Sequence, residues 1–143
     1  MSSAPEIVPW EVPFASSVDP SVGIITENLG ETITLVVAPL GIDKYPKYIV
    51  RFDRVITSLC YEEACAFDRG YGYPGKQDGS CAYRWLGSEW LQGYQKGVDL
   101  FGWKDLGHYL IFGGDSIVEV IACGTPDIKW LDAKTTITTI HEV

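Results

Sequence analysis

Positive charge is scarce in this chain. Eleven Lys and Arg stand against 19 Asp and Glu, for a net charge of −8. Gripping a phosphate backbone takes clustered cations, so nucleic acid is excluded as a partner. A basic protein partner suits the charge better. Long hydrophobic runs are missing too. Nothing approaches the roughly 18 apolar residues of a membrane span. The opening "MSSAPEIVPWEVPF" has neither a basic start nor an apolar signal-peptide core. We therefore expect a cytoplasmic protein, away from membranes, with its four cysteines reduced.

Metal-ligand spacing is also absent. Cys60-x₄-Cys65, with Cys81 and Cys123 far off, contains no CxxC pair. Cys60 and Cys123 lie in apolar strand sequence, where cysteine acts as a small hydrophobe. We expect no metal and no cofactor.

One stretch invites a nucleotide reading. "GYGYPGKQ", residues 70–77, matches most of a P-loop through Gly70, Gly75 and Lys76. Gln77 replaces the hydroxyl that would hold Mg²⁺. The phosphate cradle also needs a helix starting at the lysine. Turn residues and then a strand follow instead. Gly70, Gly72 and Gly75 fail as a dinucleotide fingerprint for the same reason, because no βαβ pattern surrounds them.

What the chain does have is β-strand patterning. Residues 1–20 hold four of the eight prolines. They read as an extended arm, which Ile7, Val8, Trp10, Val12 and Phe14 should press onto the body. Residues 21–143 read as a single β-rich domain. "GIITENLGETITLVV" is a hairpin turning at Asn28-Leu29-Gly30. "KYIVRFDRVITSLCY" alternates, then shifts parity after Asp53-Arg54, as a bulge or bend would produce. "CAYRWL" is a strand. Ser88 should cap a short helix, "EWLQGYQK", with Gly97 as its stop. "HYLIF" and "SIVEVIAC" flank Gly113-Gly114-Asp115 as a second hairpin, and "TTITTI" is a last strand. About seven strands joined by short turns predict a mostly β, antiparallel sandwich or partly open barrel. One or two short helices accompany it.

Aromatics crowd one region. Tyr71, Tyr73, Tyr83, Trp85, Trp90, Tyr94, Phe101 and Trp103 fall within 33 residues. Those on the strand and helix suit a core. Tyr71 and Tyr73 sit in a glycine-rich loop where nothing local demands an aromatic, and exposed tyrosines suit a binding surface. Glu62, Glu63 and Asp68 give that loop an acidic rim.

His108 and Glu119 are polar residues in otherwise apolar hairpin strands. A two-residue loop at Gly113-Gly114 pairs position 108 with 119. A loop at Gly114-Asp115 pairs 108 with 121 and leaves 119 one diagonal away. Either register puts both side chains on one face. A His beside a carboxylate can be a general base. It can equally be a paired structural group, since buried charge must be paired. His141 carries no signal.

Two functions fit. The first is a non-enzymatic protein-binding module, immunity-like or adaptor-like. It would use Tyr71, Tyr73, Glu62, Glu63 and Asp68 against another protein. The second is a small-ligand or carbohydrate binder, or an enzyme. Its pocket would be built from Trp85, Trp90, Tyr94 and Trp103, with His108 and Glu119 as the polar groups. A pocket holding the His–Glu pair would favour the second.

Overall fold

The computed structural model describes residues 6–62, 65 and 79–132. Nine strands run in the order β1 (Glu6–Pro9), β2 (Ser21–Glu27), β3 (Thr32–Ala38), β4 (Lys47–Phe52), β5 (Arg54–Glu62), β6 (Ala82–Leu86), β7 (Leu106–Phe112), β8 (Ser116–Cys123) and β9 (Asp127–Leu131). A 12-residue helix, α1 (Glu89–Leu100), separates β6 from β7. The strands form two antiparallel sheets, β1-β6-β7-β8-β5 and β2-β3-β4-β9, and neither closes into a barrel. The candidate strand "TTITTI", the glycine loop 70–77 and His141 lie outside the described residues.

Alternation decides which side chains meet between the sheets. Ile33, Leu35 and Val37 on β3 face Val118, Val120 and Ala122 on β8, with Phe14 and Phe52 in the same cluster. Full burial of such side chains contributes about 1.5–3 kcal/mol each. The opposite parity of the five-stranded sheet is buried as well. Tyr83, Trp85, Leu110, Phe112 and Ile117 form a second cluster there. Strands read as nearly continuous apolar runs, such as "SIVEVIAC", because both faces are covered.

The parity shift after Asp53 has two causes. Asp53 alone connects β4 in one sheet to β5 in the other, so the chain turns a corner. Ile56 is then an extra residue between the pairs Val55↔Ala122 and Thr57↔Ile121, a bulge that re-aims the strand. The first hairpin turns through Asn28, Leu29 and Gly30, all at positive φ.

The helix begins as its sequence requires. Ser88 is the N-cap, and its Oγ accepts the Leu91 amide at 3.1 Å. It runs past Gly97, the expected stop, and ends at Gly102, whose φ is +71°. The Trp103 amide reaches the Val98 carbonyl and the Gly102 amide the Asp99 carbonyl, both at 3.1 Å, which is a Schellman closure. Gly93 and Gly97 each cost about 1 kcal/mol relative to alanine. Both are exposed, and the packed face of Trp90, Leu91, Tyr94 and Val98 is untouched by them.

Candidate functional site

The β7–β8 hairpin turns on Gly114-Asp115, with the Gly113 amide donating to the Ser116 carbonyl at 2.8 Å. His108 therefore pairs with Ile121, and Glu119 with Leu110. The imidazole and the carboxylate lie one diagonal apart on a single face, as that register requires. His108 Nε2 is 2.7 Å from Glu119 Oε1, and both side chains have 0% exposure.

The chain of bonds continues at both ends. Tyr61 Oη donates to Glu119 Oε2 at 2.5 Å. Ser88 Oγ lies 2.7 Å from His108 Nδ1. The Leu91 amide is a pure donor and takes one lone pair of Ser88 Oγ, which leaves the hydroxyl proton and a second lone pair to serve Nδ1. An ionised carboxylate only accepts, so Nε2 carries a proton and donates it to Glu119. Trp85 stacks on the imidazole with centroids 5.0 Å apart, and Trp90 meets it edge-on at 5.5 Å.

Hydroxyl, imidazole and carboxylate in series are the parts of an acyl-transfer triad. Here they are sealed. Ser88 is fully buried, and its oxygen accepts a free amide in the first turn of a helix. In this form the arrangement does structural chemistry, bonding the start of α1 to the middle of the largest sheet. Among the described residues no group of three or more His, Cys, Asp or Glu could hold a metal ion.

The sequence-selected aromatics divide into two places. Trp85 and Trp90 meet at His108. Tyr94 is half-buried on α1. Trp103 lies beyond the other end of the helix, stacked on Phe101 with ring centroids 5.0 Å apart. The Arg54 guanidinium sits over the Trp103 ring at 4.4 Å, and Arg54 lies 3.9 Å from the Glu31 carboxylate. Trp85 and Trp90 thus lie at one end of α1 and Trp103 at the other. Phe101 is 71% exposed and Leu100 78%, which makes this corner an aromatic ledge. Glu62 is exposed at the end of β5. Tyr71, Tyr73, Glu63 and Asp68 lie outside the described residues.

Sequence reasoning found Ser88 only as a cap. It missed Tyr61 as a partner of Glu119, because 58 residues separate them. It also missed Arg84, Tyr109 and Trp10, which line a cleft at one end of the sandwich. Arg84 did leave a trace. In "CAYRWL" it shares parity with Ala82 and so should face inward.

Two other groups are electrostatically shifted there. Burial pushes the Tyr109 hydroxyl above its ordinary range, and Arg84 beside it pulls it part of the way back. Burial likewise raises the Cys123 thiol, with Arg54 opposing and Asp105 adding to the rise. No protein-family model, curated protein or solved structure matches this chain.

Proposed function

We propose that the protein is a non-enzymatic protein-binding module whose partner is a basic protein. The observation carrying this reading is a contrast in exposure. The only hydroxyl–imidazole–carboxylate series among the described residues has no accessible side chain, whereas Phe101 and Leu100 stand in solvent beside Trp103 and Arg54. Trp and Arg are the residue types that anchor protein interfaces. Exposed Asp53, Asp99, Asp105 and Glu31 belong to the segments around that ledge. An acidic rim about an apolar centre suits a partner with basic residues around an apolar one. Tyr71 and Tyr73 enter the proposal as a second contact, on their sequence alone.

The test is affinity capture from the source cell with three proteins: wild type, Phe101→Ser, and Tyr71→Ala with Tyr73→Ala. Wild type should retain a basic protein that at least one variant loses at unchanged melting temperature. Identical capture by all three would place the docking surface elsewhere. Labelling of Ser88 by a serine-reactive fluorophosphonate in the native protein would defeat the non-enzymatic reading and favour an enzyme around Trp85, Trp90 and His108.

A further inference from the structure

We propose that the cleft between Trp10 and the β8–β9 turn binds a small organic monocarboxylate with a flat apolar body. The site shares Asp105 with the acidic rim of the docking surface proposed above but does not rest on that reading.

Arg84 on β6 and Tyr109 on β7 are direct partners in the ladder, and both face the space between the sheets. Their neighbours on that face, Ala82, Ile111 and Val120, are apolar and buried. A guanidinium is out of place in such company unless something pairs with it. Nothing among the described residues does. Arg84 Nε is buried and has no hydrogen-bond partner. Among the described residues the ion pairs are Arg51–Asp53, Arg54–Glu31, His108–Glu119 and Lys129–Asp127, and Arg84 is in none of them. Its guanidinium carbon lies 5.3 Å from the centre of the Tyr109 ring.

The surroundings are shaped rather than merely open. A Cβ at Gly107 would meet the Tyr109 hydroxyl and ring at 2.8 Å, so only glycine lets the phenol lie across that strand. Trp10 holds the Tyr109 ring from another side at 4.8 Å, and Phe52 at 5.3 Å. The space left is a cleft of about 420 Å³, bounded by Trp10, Arg84, Asp105, Tyr109, Thr125 and Pro126. That volume is within the range of small-ligand sites.

The lining specifies the ligand class. A guanidinium offers parallel N–H donors that match the two oxygens of one carboxylate. Here Nε is the donor in want of an acceptor. Trp10 and Pro126 offer flat apolar surface for the body of the ligand. The Tyr109 phenol, protonated at neutral pH like any tyrosine, can donate a second bond. Asp105 at the rim opposes further negative charge, as does the net charge of −8. That selects a monocarboxylate over a phosphate dianion.

The experiment uses the full chain with benzoate, phenylacetate and indole-3-acetate as probes. Benzamide and inorganic phosphate are the controls. Two-dimensional NMR follows the Trp10 indole and Gly107 amide signals. At least one carboxylate should move both signals at millimolar concentration, while benzamide and phosphate move neither. Arg84→Met should lower the affinity about tenfold or more, a shift of about 1.4 kcal/mol. It should melt no lower than wild type, because it removes an unpaired buried donor. Thr125→Trp, at an exposed position on the rim, should block the shifts without touching Arg84. Silence from all three carboxylates overturns the proposal. So does equal binding of phosphate, or undiminished binding in both variants.

Discussion

Ser88 Oγ lies 2.7 Å from His108 Nδ1, so the residue that starts the helix is bonded to the centre of the five-stranded sheet. Twenty residues separate the two in sequence. The Trp90 ring of α1 meets the same imidazole edge-on at 5.5 Å, so a hydroxyl and a ring join the two elements.

Replacing Ser88 with alanine should therefore cost more than an ordinary cap. Loss of an N-cap costs about 0.5–2 kcal/mol. The His108 Nδ1 atom would also lose this buried hydrogen-bond partner, a further penalty of about 1–3 kcal/mol. Urea denaturation of Ser88→Ala should show the sum. Ser88→Thr keeps the hydroxyl and should recover most of it. A loss no greater than a cap alone would mean that the His108 bond contributes nothing.

Glu119→Gln should destabilise strongly, and Glu119→Ala more so. Glu119 is bonded to both His108 and Tyr61, and each donor left unpaired in the interior costs about 1–3 kcal/mol. Tyr61→Phe, which removes only one donor to the carboxylate, should cost about 1.5–3 kcal/mol, as for a hydrogen bond to a charged group. Equilibrium unfolding should show the largest loss for Glu119→Ala, then Glu119→Gln, then Tyr61→Phe. Tyr61→Phe matching Glu119→Ala would show that the phenol, not the imidazole, holds the carboxylate.

Cys60 and Cys65 are exposed, whereas Cys81 and Cys123 are buried. Thiol titration of native protein should show two fast groups and two slow ones, and denatured protein should show four equal ones. Cys81 is further held by its bond to the Phe14 carbonyl at 3.3 Å. Cys123 should need a more alkaline solution than a free thiol, since burial raises its pKa. Four equally fast groups in the native state would contradict the assigned burial.

Alkali should weaken the fold in two stages. Cys123 and Tyr109 both have raised pKa values in the folded state. The unfolded chain then loses those protons first. Their contribution is complete below the unfolded values, about 8.5 for a thiol and about 10 for a phenol. It falls as pH rises through the folded values. Cys123→Ser should flatten the first stage and Tyr109→Phe the second, measured as unfolding free energy against pH. A profile flat to strong alkali in wild type would refute both assignments.

The hairpin that holds His108 and Glu119 was legible because strand parity puts residues 108 and 119 on one face in either register. Asp53 was legible for the same reason, since a break in alternation must show as a bend or a bulge. Ser88 shows the limit. Its capping role is local and can be read from "GSEW", but its bond to His108 depends on where α1 docks. Gly97 misled in the other direction. Glycine halts a helix when a carbonyl needs a left-handed neighbour, and here that need arises only at Gly102. Arg84 could be assigned inward by parity, but its lack of a partner is a three-dimensional fact.

The single-residue corner at Asp53 and the short β8–β9 turn cross between the sheets at the same end, for Arg54 pairs with Cys123 and Arg51 with Asp127. A residue of extended chain spans only about 3.5 Å. The sheets are therefore tethered there like the spine of a book, and at the opposite end the Gly114 amide donates to the Pro20 carbonyl at 3.0 Å. The Gly124 amide tightens the spine further by donating to the carbonyls of Lys104 and Asp105, both at 3.1 Å. The cleft of Arg84 and Tyr109 is bounded by this bound edge. A visitor there meets walls already set in position, so its arrival demands little ordering and its departure little loosening.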